Sequence, residues 1–254
     1  MKFIPYSYSK IATFKQCPYK FKLQYIDKVE IPFETNIALE KGRYIHSLIE
    51  HHIKNEKKPE FKFTLSSEED IKTYDKIFTD VKLNPLFQVL TNTDGCEYFT
   101  EEGFGIKIEN KEIKATGYSS DAIIRGYIDF LKVCGDKAYI VDWKTGKFRE
   151  EQDKLQTLIY ALWTFKKFPQ VQDIETIFYF VEHNKMVTHK YTREDFNFLL
   201  KEFLEAIKTI EKAENFKKKP SPLCDWCPMK KFGYCDGEYE LNNWKVNLKN
   251  NFSS

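Results

Sequence analysis

The stretch Gly126-Tyr-Ile-Asp129-Phe-Leu-Lys-Val133, followed after a short turn by Ala138-Tyr-Ile-Val-Asp142-Trp-Lys144-Thr-Gly146, is the part of the chain that decides its predicted fold. Both halves have the composition of β-strands, and the turn Cys134-Gly-Asp-Lys137 is short enough to join them as an antiparallel hairpin. Successive side chains of a strand point to opposite faces, so Asp142 and Lys144 share one face and Val141 and Trp143 share the other. The hairpin also carries Asp129 towards Asp142.

Two carboxylates and a lysine gathered in this way suit a divalent metal site. The carboxylates repel each other unless a cation lies between them, and their oxygen atoms are ligands that magnesium and manganese favour. A lysine beside such a site can position a water nucleophile or stabilise charge that develops on a phosphate. The alternative is an Asp–Lys ion pair on a solvated sheet face, which is the commoner explanation of an isolated Asp-x-Lys.

Composition favours a globular protein of 254 residues, with 42% apolar and 16% aromatic residues. That length allows one large domain, or a domain with a small lobe, and we expect the second arrangement. The first ten residues lack an apolar signal core, and no apolar run approaches the length that spans a bilayer. We therefore expect a cytoplasmic location, in a bacterial or phage-infected cell as the preference for Lys over Arg suggests.

The net charge of +2 is too small to indicate nucleic acid binding by itself, but one segment is locally basic. Five lysines and a single acid lie between Lys10 and Lys28, interleaved with aromatic residues that suit phosphates and stacked bases. An amphipathic helix with its lysines in water explains the same pattern. Only four of the 40 basic residues are Arg, which favours binding without base reading. The candidate contacts are Lys15, Tyr19, Lys20 and Lys22.

Six cysteines in a chain without an export signal argue against disulfides and for thiols or a metal site. Cys224-Asp-Trp-Cys227 is a C-x-x-C, Cys235 follows it, and Cys17 stands near the start of the chain. We expect Cys96 and Cys134 to be ordinary free cysteines.

Residue periodicity outlines the remaining elements. In the second predicted helix, Gly42, His46 and Glu50 are spaced by four and stack on one face, where the Gly permits close approach and the His can reach a metal. A lone His is more often structural. Glu101 or Glu102 can lean towards the same site, although we expect exposed glutamates. The predicted helices are Ser9 to about Asp27, Glu34 to about Lys54, Ser66 to about Gln88, Glu150 to Phe168 and Glu194 to about Phe216; further strands are Phe104–Glu109, Glu112–Ala115, Ile174–Val181 and Met186–Tyr191.

Four segments in order resemble the RecB-like branch of the PD-(D/E)xK nuclease superfamily: Gly42-Arg-Tyr-Ile-His46, Gly126-Tyr-Ile-Asp129, Asp142-Trp-Lys144-Thr-Gly and Gln156-Thr-Leu-Ile-Tyr160. Ile128 stands where the superfamily's name has Pro. The resemblance implies an α/β fold with a restriction-endonuclease-like mixed central sheet flanked by helices. It also implies that His46, Asp129, Asp142 and the Trp143 carbonyl hold Mg²⁺ or Mn²⁺, that Lys144 serves the attacking water, and that Gln156 and Tyr160 orient the site and the strand.

The cysteines carry a second resemblance. Cys17-Pro-Tyr-Lys-Phe with three cysteines near the carboxy terminus is similar to the iron-sulfur staple of AddB-type helicase-nucleases and CRISPR-associated adaptation nucleases. That resemblance implies a four-iron four-sulfur cluster on Cys17, Cys224, Cys227 and Cys235. Zinc is the alternative, but a single C-x-x-C with two remote cysteines favours the cluster, since zinc ribbons usually offer two such knuckles.

These interpretations combine into one expectation. The chain is a single nuclease domain over 1–254, with a core at about 34–215 and a cysteine-ligated iron-sulfur lobe from about 1–30 and 216–254. We expect a metal-dependent DNA exonuclease that acts on single strands or resected ends in repair, recombination or phage DNA metabolism. The alternative is a DNA-end-binding module that partners a helicase, recombinase or integrase and cleaves little. A zinc-stapled structural protein is a third possibility.

Overall fold

A six-stranded mixed sheet organises the computed structural model, which describes residues 5–32, 36–110 and 112–238. Its strand order is β2-β1-β3-β4-β5-β6. Neighbouring strands are antiparallel except β4 and β5, which are parallel and are connected through helix α6. The strands are β1 Glu97–Glu109, β2 Glu112–Gly117, β3 Ile124–Cys134, β4 Lys137–Lys144, β5 Asp173–Phe180 and β6 Lys185–Thr192.

Helices flank the sheet, and further helices lie among the described residues that precede and follow it in the chain. A π-helical turn, Lys22–Ile26, continues α2, and short 3₁₀ turns lie at Arg193–Asp195 and Pro222–Trp226. No described helix is long and apolar enough to cross a membrane. The α-helices are α1 Tyr8–Gln16, α2 Pro18–Phe21, α3 Ile37–Ile53, α4 Glu68–Lys82, α5 Pro85–Thr91, α6 Lys154–Lys167, α7 Phe196–Glu211 and α8 Pro228–Lys231.

The chain forms two structural units. One contains residues 36–204 and therefore the whole sheet, while the other combines residues 5–32 with residues 205–238. Cys17, Cys224, Cys227 and Cys235 all belong to the second of these units. The predicted helix start at Glu34 and the predicted lobe residues 239–254 lie outside the described residues.

The predicted hairpins are confirmed. Strand β3 pairs with β4 around a turn at Gly135 and Asp136, and Gly135 has the positive φ of 64° that such turns require. Strand β1 pairs with β2, and β5 pairs with β6, each in antiparallel register. Val141 and Trp143 are buried in the core beside α3, so the predicted alternation along β4 holds.

Two predicted helices are interrupted by proline. The helix expected from Ser9 to Asp27 begins after the cap Ser7 and breaks at Cys17, whose extended backbone (φ −158°, ψ 106°) precedes Pro18. The helix expected from Ser66 to Gln88 divides at Asn84, which caps a new helix that starts with Pro85. A residue before proline is disfavoured in the α conformation, which explains both breaks.

The expectation that Cys96 and Cys134 are free is wrong, because they form a disulfide. Pairing of Glu97 with Val133 places the two cysteines opposite each other at the end of the β1–β3 ladder. Their Cα atoms are 4.5 Å apart, which is within the range of bridged cysteines. The number of cysteines and the expected cellular compartment do not specify which residues face each other across β1 and β3, so they could not predict this disulfide. Closure of such a loop contributes about 2–4 kcal/mol to stability in the chain-entropy account.

Helix α3 packs one apolar face on the sheet. Tyr44, Ile45, Leu48 and Ile49 are buried in a core that includes Trp143. Their i, i+3, i+4 spacing is what turns one side of a helix towards a sheet. Helix α3 therefore lies beside the end of strand β4 that contains Trp143.

A buried glutamate on α3 fixes the segment that leads to α4. Glu40 is only 4% exposed and accepts hydrogen bonds from the backbone N–H groups of Thr64, Leu65 and Ser66 and from the hydroxyls of Thr64 and Ser66. The Ser66 hydroxyl makes the largest contribution to lowering the pKa of Glu40 to about 2. The ionised carboxylate thus stabilises the fold.

We expect Glu40→Gln to lower the free energy of unfolding at pH 7, because an amide cannot accept all of these bonds. A carboxyl group with a lowered pKa stabilises the fold above its unfolded pKa, near 4.5, and loses that contribution as the pH falls towards about 2. Denaturant unfolding at pH 7 and at pH 2.5 measures the difference, with Glu69→Gln on the exposed side of α4 as the control. The prediction is contradicted if the free energy of unfolding of Glu40→Gln differs from that of the wild type by the same amount at both pH values.

Candidate metal centre

The site lies where strands β3 and β4 separate. Their ladder ends at the pair Phe130 and Val141, one residue before Asp129 and Asp142. Asp129 Oδ2 fills the opening and accepts a hydrogen bond from the Trp143 N–H over 2.8 Å. The Trp143 carbonyl in turn lies 2.8 Å from His46 Nε2, so β4 connects the carboxylate to helix α3.

Three side chains at this point form a group that can hold a metal ion. His46, Glu101 and Asp129 each offer a ligand atom, and these atoms all lie within 4.8 Å of one another. The distance from His46 Nδ1 to Asp129 Oδ2 is 3.6 Å. An imidazole nitrogen with two carboxylates suits Mg²⁺ or Mn²⁺, and within the described residues this is the group found to have such spacing.

Glu101 is exposed, as expected, and it is also the glutamate that leans towards the site, where it is a member of this group. It lies on β1 opposite Asp129, between the registered pairs Thr100–Phe130 and Glu102–Ile128. Its φ of 49° is in the left-handed region, which is uncommon for a residue other than glycine. Such local distortion occurs often at functional sites, but the amino-acid sequence around Glu101 does not reveal it.

Asp142 lies beside the three ligands and is held by a separate set of partners. Its Oδ2 is 2.5 Å from Lys144 Nζ. Its Oδ1 accepts hydrogen bonds from Gln156 Nε2 over 2.7 Å and from the Tyr160 hydroxyl over 3.2 Å. Four of the side chains whose roles the resemblance implies, Asp142, Lys144, Gln156 and Tyr160, therefore form one connected network on β4 and α6.

Lys144 is held on several sides. Besides Asp142, its amine lies 3.5 Å from Gln156 Oε1 and 4.9 Å from the centre of the Phe178 ring. Gln156 also donates to Tyr160, 2.8 Å away, one helical turn further along α6. This network orients the amine and the Asp142 carboxylate together.

The electrostatics of the site favour a bound cation. Burial, followed by the charges of Asp142 and Glu101, raises the pKa of Asp129 well above its usual value. Burial lowers the pKa of His46, which keeps the imidazole neutral and able to act as a ligand. Burial and the charges of Asp142 and Asp129 raise the pKa of Tyr160, which stays a hydroxyl donor. A cation among these carboxylates removes their mutual repulsion.

An open cleft of about 560 Å³ is lined in part by His46, Glu101 and Arg43. Gly42, in the same lining, confirms the expected close approach, because a Cβ there would lie 3.1 Å from Thr145 Oγ1. His46 and Glu101 are therefore reached from solvent through this cleft.

The four predicted iron-sulfur ligands lie together in the other unit. Cys17, Cys224, Cys227 and Cys235 line a single pocket of about 150 Å³. The Cys17 sulfur accepts from the Lys20 N–H, and the Cys224 sulfur accepts from the Ser221 N–H. The thiols thus share one cavity and are partly supported by backbone donors.

The predicted DNA contacts belong to the same unit as these cysteines. Tyr19 and Lys20 line the cysteine pocket. Lys22 pairs with Asp27 over 2.5 Å, and Lys15 is exposed. The Lys15 side chain is therefore exposed, and the Lys22 amine forms an ion pair with Asp27 in its own unit.

Solved structures similar to this chain include the following two. A crystal structure from Eubacterium rectale that carries a provisional exonuclease name is 12% identical, with 87% of this chain and 92% of that chain covered and a TM-score of 0.47. A crystal structure of SSO0001 is 12% identical, with 94% of this chain and 89% of that chain covered and a TM-score of 0.38. A search of curated proteins finds no match.

A family model described as the PD-(D/E)XK nuclease superfamily matches residues 5–233, which is most of the chain. The matched range includes His46, Glu101, Asp129, Asp142 and Lys144. This chain therefore belongs to the PD-(D/E)XK nuclease superfamily.

Proposed function

We propose that this protein is a metal-dependent DNA exonuclease of the RecB-like branch, acting on single-stranded DNA or resected ends in repair, recombination or phage DNA metabolism. The observation that carries the proposal is the metal-ligand group of His46, Glu101 and Asp129 beside the paired Asp142 and Lys144. A nuclease needs a place for a divalent cation and a group that handles the attacking water, and these five side chains supply both.

The side chains divide the chemistry among them. A bound Mg²⁺ or Mn²⁺ would be held by His46, Asp129, Asp142 and the Trp143 carbonyl, as the resemblance implies, with Glu101 as a further candidate ligand. It would polarise the phosphate and lower the pKa of its water. His46 donates from Nε2 to the Trp143 carbonyl, which leaves Nδ1 as the unprotonated nitrogen that faces Asp129.

Lys144 is the residue that acts on water and phosphate. Its amine, held by Asp142 and Gln156, is placed to position a water molecule and to balance the negative charge that builds up on the phosphate. Gln156 and Tyr160 restrain the Asp142 carboxylate, so they are positioning residues for Asp142 and Lys144.

The test is an assay of purified protein with end-labelled single-stranded DNA in Mg²⁺ or Mn²⁺. We expect the label to be released in short products, and we expect Asp142→Ala to leave the substrate uncut. If wild type and Asp142→Ala both bind the DNA without cutting it, the chain is the alternative, an end-binding module for a helicase, recombinase or integrase. Fully duplex, nicked and circular substrates distinguish exonuclease from endonuclease activity.

The same proposal includes an iron-sulfur lobe built from residues near both ends of the chain, with Cys17, Cys224, Cys227 and Cys235 as ligands of a four-iron four-sulfur cluster. Support comes from their common cavity, whose free space of about 150 Å³ accommodates a group larger than a single ion. Backbone N–H groups that point at two of the sulfurs also suit thiolate ligands. Tyr19, Lys20, Lys22 and Lys15 are proposed to contact the DNA strand from this unit.

We expect Cys224→Ser to remove visible absorption and to lower the melting temperature, because ligand binding by the folded state contributes directly to folding free energy. Absorption spectra, iron and zinc content and thermal unfolding measure the effect. Cys134→Ser is the control for colour alone, since it makes the same replacement in the other unit and should leave the colour unchanged, although loss of the Cys96–Cys134 disulfide lowers its melting temperature by a separate route. A colourless wild type that carries zinc, or a melting curve unaffected by Cys224→Ser, would contradict the cluster.

A further inference from the structure

Two exposed tyrosines are stacked on each other near the metal-ligand group. The rings of Tyr118 and Tyr127 have centroids 5.0 Å apart and planes inclined by 26°. Tyr118 is 48% exposed and Tyr127 is 52% exposed, so each ring keeps much of its surface in solvent. The Arg125 guanidinium lies 4.5 Å from the centre of the Tyr118 ring. We call Tyr118, Tyr127 and Arg125 the tyrosine platform.

The sheet backbone makes room for this platform. Gly103 pairs with Tyr127 across β1 and β3. A Cβ at Gly103 would lie 3.1 Å from Tyr118 Cβ and 3.5 Å from Tyr127 Cε1. A side chain at this position would therefore displace the rings, and glycine lets them lie against the strand.

Hydrogen bonds hold the platform in place. Arg125 Nη1 donates to the Ser119 carbonyl over 3.4 Å, which restrains the turn that carries Tyr118. The Tyr160 hydroxyl lies 3.2 Å from the Tyr127 carbonyl and also 3.2 Å from Asp142. One side chain of α6 thus contacts both the platform strand and the carboxylate that pairs with Lys144.

The platform is two residues away from the metal-ligand group along both β1 and β3. Tyr127 comes two residues before Asp129 on β3, and Gly103 comes two residues after Glu101 on β1. Two residues of a strand span roughly 7 Å. Stacked nucleotides repeat about every 3.4 Å along a strand, so this separation corresponds to about two nucleotides from a phosphate that lies at the metal-ligand group.

We infer that the tyrosine platform binds one unpaired nucleobase of the DNA strand, about two nucleotides from the phosphate that is cleaved. Aromatic rings and guanidinium groups with open faces bind bases by stacking without regard to sequence, and the Arg125 charge adds attraction for the adjacent phosphate. A base in a duplex is already stacked and paired, so the platform selects single strands. This inference rests on the proposed function and specifies its substrate.

The test compares Tyr127→Leu with Tyr127→Phe. Binding of a fluorescent single-stranded oligonucleotide is measured in EDTA, where no cleavage occurs. Loss of one base–aromatic stack weakens single-strand binding by roughly tenfold or more. We expect that loss for Tyr127→Leu and near wild-type affinity for Tyr127→Phe, which keeps the ring. Phe198→Leu is the matched control, because Phe198 is 62% exposed on α7 in the same unit as the platform.

A scan with abasic nucleotides separates stacking from a structural effect of the substitution. One abasic position should weaken binding to the wild type about as much as Tyr127→Leu does, and it should have no further effect on that variant. Equal binding by wild type and Tyr127→Leu would overturn the inference. The inference also fails if an abasic nucleotide at every position weakens binding by Tyr127→Leu still further.

Failure of the platform is distinguishable from failure of the proposed nuclease. If the wild type cleaves single-stranded DNA but Tyr127→Leu binds and cleaves it equally well, the nuclease stands and the platform does not. If the wild type cleaves nothing but its binding depends on the Tyr127 ring and on one base, the platform stands and the nuclease does not.

Discussion

Lys144→Ala is expected to abolish DNA cleavage while DNA binding and folding are largely retained. The amine pairs with Asp142 over 2.5 Å, and it is the group proposed to position water and balance phosphate charge. Loss of a group of this kind typically costs about 10²–10⁴-fold in the rate of the chemical step. Asp142 keeps its hydrogen bonds from Gln156 and Tyr160, so its carboxylate is not left without partners.

Single-turnover cleavage with saturating protein measures the effect of Lys144→Ala, and anisotropy of a labelled oligonucleotide in EDTA measures binding. Lys137→Ala is the matched control, because Lys137 is an exposed lysine at the other end of the same strand. Lys144→Arg asks whether charge alone suffices. If Lys144→Ala cleaves DNA at a rate within about threefold of the wild type, Lys144 has a structural role and not a catalytic one.

Asp129→Asn is expected to have opposite effects on stability and on metal binding. Without metal the variant should be more stable than the wild type, because the amide removes a buried carboxylate that faces Asp142 and Glu101. Its amide oxygen can still accept from the Trp143 N–H. We expect a gain of about 1 kcal/mol, which corresponds to roughly 2–4 °C in a chain of this size.

In Mn²⁺ or Mg²⁺ that order should reverse. The wild type gains stability from the ion, whereas Asp129→Asn lacks a charged ligand and should gain little and cleave nothing. Thermal unfolding with and without metal, followed by the cleavage assay, measures both effects. Asp136→Asn in the exposed β3–β4 turn is the control. The prediction fails if Asp129→Asn melts below the metal-free wild type or keeps its full metal-dependent increase.

Residues on one strand were the easiest to predict. Alternation along a strand is a local property, so the residue order alone places Asp142 and Lys144 on one face, and the structure brings them within 2.5 Å of each other. The short turn at Gly135 and Asp136 likewise predicts the β3–β4 pairing. Proline effects are also local, and the breaks at Pro18 and Pro85 follow from the sequence once the residue before each proline is considered.

Contacts between distant segments were harder to predict. Glu101 joins His46 and Asp129 only because β1 lies beside β3 in a particular register and distorts at that residue. The same register brings Cys96 to Cys134, against the expectation from cysteine usage. No local pattern specifies which residues face each other across two strands that a long segment separates.

The sequence by itself determined the β3–β4 hairpin, the shared face of Asp142 and Lys144, and the helix that carries His46, because strand alternation and helix periodicity depend on near neighbours in the chain. Only the tertiary structure decided that Glu101 lies with His46 and Asp129, that Gln156 and Tyr160 restrain Asp142, and that Tyr118 stacks on Tyr127. These contacts depend on strand register and on how α3 and α6 pack around the sheet, which are properties of the whole folded unit.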